Sequence, residues 1–305
     1  RGGRLTIDNV DVVTMRNVVL VRGVTDRARA VGRPSVFITF EPHPLSVVRG
    51  KDAPPLLMPL QQKMECLADM GIDLALVLPF TRETADLSPE DFARTILVDC
   101  LNTRSLVVGY DYAFGKGRKG NAALLARIGA EHGFTVEEFP AVNIAGDVVS
   151  STRIRAMLRL GDVEEARQLL GRPYSVEGVI AHGMNRGGKL LGFPTANLHL
   201  EDRLLLPKAG VYAVLAAVNP KRHPLPGICV GSGGLYLKGV ANVGTNPTFG
   251  DESLRVETHL LDFHSDIYGN PFRVHFIQHL RAERKFNGVN ELLEQIRRAP
   301  DKARS

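Results

Sequence analysis

Short apolar runs alternate with helical stripes along the first half of the chain, and then the rhythm changes. Asp11–Met15 reads as a buried strand, and Arg16–Val31 as a helix with Leu20, Val24, Ala28 and Val31 on one stripe. Strands follow at Ser35–Phe40, Asp73–Phe80, Ser105–Tyr110 and Thr135–Phe139, with helices at Leu60–Met70, Pro89–Cys100 and Asn121–His132 between them. Strand and helix in alternation predict a parallel sheet covered by helices. A helix pair comes next: hydroxyls at Ser150, Ser151 and Thr152 offer caps to the first, and Asp162 with Glu165 has capping-box spacing for the second, which stops at Gly171. Beyond it, Tyr174–Ala181, Ala196–Leu200, Gly210–Val218, Tyr236–Val243, Arg255–Phe263 and Phe272–Leu280 are strand-like and separated by Gly, Pro and Asn turns. Short strands without intervening helices predict a small antiparallel barrel, closed by an amphipathic helix over Gly288–Arg298. The expected fold is therefore α/β plus β, with a domain boundary after residue 171: residues 1–171, then 172–305.

One junction resists this reading. A chain leaving a parallel strand must reverse, which takes about 2–6 residues, yet Met15 ends the strand and Arg16 begins the helix. Either the two assignments fail or the chain lacks a loop between Met15 and Arg16. The clarity of the flanking patterns favours the lost loop.

Composition narrows the classes. The chain has 305 residues, 44% apolar and 23% charged, as for a globular protein of two domains. No run approaches the ~20 apolar residues of a membrane span, and Arg1–Asp8 lacks the apolar core of a secretory leader. Three dispersed cysteines, Cys66, Cys100 and Cys229, exclude a disulfide framework and fit a reducing, cytoplasmic setting. The net charge of +5 suits polynucleotide or nucleotide phosphates equally, but 6% aromatics without Trp give no base-stacking platform.

The chemistry-bearing stretch is His182–Asn197. Gly183, Gly187 and Gly188 let backbone N–H groups approach phosphate oxygens, and Arg186 and Lys189 add charge there. Thr195 and Asn197 alternate along an extended segment, so both oxygens face one side and suit a hard cation such as Mg²⁺. By spacing alone a plain glycine turn explains this run equally well.

The run RGGKLLGFPTAN, Arg186–Asn197, resembles the signature of riboflavin kinases. Four further segments follow that family in order: LPKAGVY from Leu206 to Tyr212, GVANVGTNPTFG from Gly239 to Gly250, VETHLLD from Val256 to Asp262, and RAERKF from Arg281 to Phe286. The first half adds TFEPHP from Thr39 to Pro44, VGYDYAFGKGR from Val108 to Arg118 and SSTRIR from Ser150 to Arg155. These resemble motifs of the FAD synthetase domain in the bacterial bifunctional riboflavin kinase/FAD synthetase family.

The resemblance implies a Rossmann-like nucleotidyltransferase followed by a six-stranded riboflavin kinase barrel. It implies that riboflavin is phosphorylated to FMN with ATP, that FMN is adenylylated to FAD, and that Mg²⁺ serves both steps. In the kinase, Glu257 would be the general base, Gly183–Lys189 with Thr195 and Asn197 would hold Mg-ATP, and Asn242, Gly244, Thr245, Asn246 and Arg281 would hold flavin. In the adenylyltransferase, Phe40, His43, Asp111, Phe114, Ser150, Ser151, Thr152 and Arg155 would hold ATP and FMN. The family's GxFDGxHxGH motif, whose histidines contact ATP phosphates, belongs after the first strand, at the Met15–Arg16 junction. Three readings follow: the bifunctional enzyme, a riboflavin kinase with a degenerate first domain, and, much weaker, a non-catalytic basic nucleic-acid binder. Expected partners are small molecules, without membrane or nucleic acid; a homo-oligomer stays open.

Overall fold

The computed structural model describes residues 4–7, 12–181, 195–200, 203–218, 236–246, 251–261, 263, 265 and 267–282. It contains two compact units, Arg1–Ser151 and Thr152–Ser305.

In the first unit, β1 (Arg4–Ile7) leads to α1 (Met15–Ala30), β2 (Ser35–Glu41), α2 (Pro44–Arg49), α3 (Leu60–Asp69) and β3 (Leu74–Pro79). Then come α4 (Arg82–Asp86), α5 (Pro89–Phe92) continuing as a π-helical stretch Ala93–Cys100, β4 (Ser105–Gly109), α6 (Ala122–His132) and β5 (Thr135–Phe139). A two-residue hairpin, β6 (Asn143–Ile144) and β7 (Asp147–Val148), ends the unit. The five long strands form one parallel sheet in the order β3-β2-β1-β4-β5. Val36, Ile38, Phe40, Leu106, Val108, Leu97, Leu125 and Ile128 pack as a core beside it. β2 is buried along six of its seven residues, as a central parallel strand covered on both faces should be.

The start of the chain corrects the sequence reading. The first strand is Arg4–Ile7, paired with both β2 and β4, and Met15 already belongs to α1. Val12 and Val13 are buried at 1% and 2% exposure, but in the connection and not in a strand. Seven positions, 8–14, separate β1 from α1, enough for a strand-to-helix reversal, and the argument for a lost loop falls with the strand assignment that produced it. Thr14 caps α1 in a box closed by Asn17: the Asn17 Oδ1 accepts from the Thr14 N–H at 2.9 Å and from the Thr14 hydroxyl at 2.8 Å.

β2 and β3 are tied at their starts. The Ser35 N–H and hydroxyl both donate to Asp73 Oδ2 at 2.7 Å, and the Asp73 N–H donates to Ser35 Oγ at 3.0 Å. The two bonds to the charged form hold the Asp73 carboxyl below its usual range, the backbone bond most strongly. A depressed acid contributes stability above the unfolded value, near 3.9, and loses it as pH falls through the folded value. Asp73→Asn is therefore expected to cost about 1 kcal/mol at pH 7 and less at pH 3. Urea unfolding at the two pH values measures this.

In the second unit, α7 (Ser151–Leu160) and α8 (Val163–Leu170) precede β8 (Tyr174–Ala181), β9 (Thr195–Leu200), β10 (Gly210–Val218), β11 (Leu237–Asn246), β12 (Asp251–Leu260) and β13 (Pro271–Arg281). These six strands close an antiparallel barrel in the order β10-β11-β12-β9-β8-β13, as the strand spacing predicted. Its interior is filled by Tyr174, Tyr212, Val256, Thr258, Phe272, Val274 and Phe276, each at most 1% exposed. Phe276 is packed between the Tyr174 and Tyr212 rings at 6.4 and 5.3 Å. Gly178 is required where β8 meets β9, since a Cβ there would lie 2.1 Å from the His199 carbonyl oxygen. Asp162 caps α8 by accepting from the Glu165 N–H at 2.9 Å. α8 packs on β8 and β13, so the helix pair goes with the barrel, and the division by packing falls earlier than the boundary placed after residue 171. The helix expected over Gly288–Arg298 lies outside the described residues.

Candidate active sites

On the barrel, the register gathers residues that the sequence keeps far apart. Asn197 of β9 is paired with Glu257 of β12, Glu257 with Asn242 of β11, and Asn242 with Val211 of β10. Residues in one row of a pleated sheet share a face. Val256 and Thr258, the neighbours of Glu257 in sequence, are fully buried in the barrel, whereas Glu257, Asn242 and Asn197 are each half-buried. The row therefore lies on the outer face, with a carboxylate between two side-chain amides. Thr195 sits two residues along β9, opposite His259. Gly244 lies two beyond Asn242 on β11, with Thr245 and Asn246 ending that strand. Arg281 closes β13 opposite Val211 and donates to the Ala282 carbonyl at 3.3 Å. Val211 packs with Val240, Leu261 and Leu280 as an apolar cluster beside the row. Gly183, Arg186, Gly187, Gly188 and Lys189 lie outside the described residues.

The donor set of the row is all oxygen, from amides and a carboxylate, which fits Mg²⁺ better than a soft metal. Among the described residues no group of three or more His, Cys, Asp and Glu is clustered. Two or three protein oxygens suffice for Mg²⁺ where phosphates and waters complete its shell.

In the first unit, the site residues stand at the carboxyl ends of the sheet strands. Phe40 and Phe114 are both 6% exposed and belong to an aromatic chain: Phe40 meets Phe92 at 6.0 Å, Phe92 meets Phe114 at 5.7 Å, and Phe114 stacks on Tyr112 at 5.5 Å. His43 follows β2 and caps α2, its Nδ1 accepting from the Leu45 N–H at 3.2 Å. Asp111 follows β4 and accepts from Arg16 Nη2 at 2.7 Å. Ser150 and Ser151 end the first unit; Thr152 and Arg155 stand on α7 and belong to the second, where Arg155 is buried at 5% exposure with Ile154 and Leu158. Burial also raises the Tyr174 hydroxyl well above its usual range, with the positive charges of Arg172 and Arg155 opposing.

The sequence reading missed two residues here. Lys63 is 5% exposed on α3 and places its Nζ 3.5 Å from the hydroxyl of Thr39, the first residue of TFEPHP. Its signal was a lysine on the apolar stripe of a helix. Arg16 was hidden by the misplaced first strand. With β1 at Arg4–Ile7, the ten positions that follow it, 8–17, read DNVDVVTMRN. Set against GxFDGxHxGH they keep only Asp11, with Thr14 and Asn17 at the histidine positions and Arg16 at a glycine.

A parallel-sheet unit with candidate site residues at its strand ends, followed by a six-stranded barrel carrying a carboxylate–amide row, is the arrangement of a two-part nucleotide transferase. Comparison with known proteins sharpens this. A riboflavin kinase family model matches residues 170–305, and an FAD synthetase family model matches residues 15–153. The bifunctional riboflavin kinase/FMN adenylyltransferase of Listeria monocytogenes is 36% identical over 288 residues, covering 94% of this chain and 86% of that protein. The protein of the same name from Escherichia coli is 36% identical over 294 residues, covering 96% and 89%. A solved structure from Streptococcus pneumoniae, named a macrolide-efflux protein, matches with a TM-score of 0.84 and 29% identity, covering 100% and 94%. The chain belongs to the bifunctional riboflavin kinase/FMN adenylyltransferase family. It carries both domains of that family, and among its described residues no helix is long and apolar enough to cross a membrane.

Proposed function

We propose that this chain phosphorylates riboflavin to FMN on its barrel and adenylylates FMN to FAD in its first unit, each at the expense of ATP. The observation that carries the kinase half is the row Asn197–Glu257–Asn242, formed by three strands at one level of the barrel. Glu257 accepts the proton of the ribityl 5′-hydroxyl as that oxygen attacks the γ-phosphorus; the bond to the β–γ bridging oxygen breaks and ADP leaves. Thr195 and Asn197 would hold Mg²⁺, which supplies neutralisation of charge on the transferring phosphoryl group. Gly183–Lys189 covers the phosphates, and Asn242, Gly244, Thr245, Asn246 and Arg281 hold the flavin. In the second step an FMN phosphate oxygen attacks the α-phosphorus of ATP and pyrophosphate leaves. Phe40, His43, Asp111 and Phe114 hold ATP and FMN in the first unit, and Ser150–Thr152 with Arg155, at the start of α7, are assigned to the same step. The functional boundary stays after residue 171, with the kinase in 172–305. The enzyme works in the cytoplasm on ATP, riboflavin and FMN, not on polynucleotide or membrane; self-association as a homo-oligomer is read by light scattering.

A second reading, a riboflavin kinase with a degenerate first domain, is favoured by one observation: Thr14, Arg16 and Asn17 stand where the family motif has His, Gly and His. Purified protein given riboflavin, Mg²⁺ and ATP separates the two. FMN followed by FAD supports the first, and FMN alone supports the second. Replacing Ser151 and Thr152 together by alanine removes two hydroxyls at the α7 start and is expected to lower FAD formation about tenfold or more, with FMN formation unchanged. Equal loss in both assays would refute the assignment of these residues to the adenylylation step.

A further inference from the structure

The topology of the first unit marks a crevice. From β1 the chain builds outward to β2 and β3, then crosses to β4 and β5 on the other side of β1. The order reverses between β1 and β4, and open parallel sheets bind their ligands beyond the carboxyl ends of the strands at such a reversal. The groups at that place are Arg16, on the first turn of the helix that follows β1, and Gly109, Tyr110 and Asp111, at the end of β4.

These groups are already joined to one another. Arg16 Nη2 donates to Asp111 Oδ1 at 2.7 Å, and the side chain of Arg16 is only 12% exposed although that of Asp111 is 54% exposed. The guanidinium lies 5.3 Å from the centroid of the Tyr110 ring. It fits because residue 109 has no side chain: a Cβ there would fall 1.9 Å from Arg16 Nη2. The neighbouring helix cap is also spent on itself, since Asn17 Oδ1 takes both Thr14 donors. An incoming triphosphate therefore meets a cation neutralised by a carboxylate and seated in the crevice.

We propose that Arg16 is a latch: paired with Asp111, it occupies the nucleotide crevice of the first unit and makes adenylyl transfer the weaker half of this chain. The proposal rests on the reading of the first unit as an ATP and FMN pocket. A crevice open in only a fraction of molecules has its apparent affinity lowered by that fraction. Removing the latch should then tighten nucleotide binding without any new contact.

The test compares the full chain with its Arg16→Gln and Arg16→Ala variants, the first keeping the stem over Tyr110 and the second removing it. Titration calorimetry with a non-hydrolysable ATP analogue and Mg²⁺ follows the site that survives when the kinase site is saturated with riboflavin and ADP. The dissociation constant of that site is expected to fall about fivefold or more in both variants, with the KM for ATP in FAD formation from supplied FMN falling in parallel and FMN formation unchanged. An unchanged constant overturns the latch. A weaker one overturns it too, and makes Arg16 a phosphate-gripping cation. Tightening without FAD from any of the three proteins leaves the latch standing and sinks the adenylylation reading instead.

Discussion

Glu257→Gln loses FMN formation by roughly 10²- to 10⁴-fold, the range over which a positioned general base contributes. The substitution is nearly isosteric, and its position between Asn197 and Asn242 on the outer face leaves the barrel core untouched. Thermal unfolding should therefore stay within about 0.5 kcal/mol of the parent. The loss should appear in kcat, because the proton is transferred only as the ribityl oxygen attacks, while the KM for ATP changes little. Whatever FAD the chain forms from supplied FMN should be unaffected. Chromatographic quantitation of FMN and FAD in separate assays reads both, and a variant keeping more than about a fifth of its FMN formation removes Glu257 from the role of base.

Phe276→Ala strikes the barrel itself. Its ring is fully buried and fills the space between Tyr174 and Tyr212. Phenylalanine truncated in a close-packed core costs about 3–5 kcal/mol, from lost transfer energy and from the cavity that remains. Tyr174 is anchored by its hydroxyl donating to the Leu205 carbonyl at 2.5 Å, and Tyr212 by donating to the Lys208 carbonyl at 2.5 Å, so neither ring is free to collapse into the hole. Burial also pushes the Tyr212 hydroxyl up to about 12, so ionisation does not release it near neutral pH. The urea midpoint for loss of FMN formation should drop sharply, and a shift equivalent to less than about 1 kcal/mol would mean that the barrel repacks around the site.

Where sequence and structure parted is instructive at Arg4–Ile7. Four residues of polar and apolar alternation at the front of a chain look like an exposed end, whereas the Val12–Val13 run looks like a strand. Only the parallel pairing of Arg4 with Ser35 on one side and Ser105 on the other makes the first a central strand. Val12 and Val13 are buried because the connection itself packs inward, and a short apolar run carries no periodicity to tell the two cases apart. The same applies to Val31, placed on the helical stripe by spacing but 57% exposed as the residue that caps α1. The helix α2 and the β6–β7 hairpin left no pattern, being six residues and two residues per strand.

By itself the amino-acid sequence determined the order of elements, the change from parallel sheet to barrel, and the residue types of the kinase site. Those features are local: alternation, cap residues and glycine-rich turns act over a few positions. Tertiary structure alone decided which strands became neighbours. Closure of the barrel set Glu257 between Asn197 and Asn242, and the reversal of strand order brought Arg16 onto Asp111 across 95 positions. The cause is physical: register and strand order are fixed by burial of whole faces and by backbone pairing over long separations, which no local window of sequence contains.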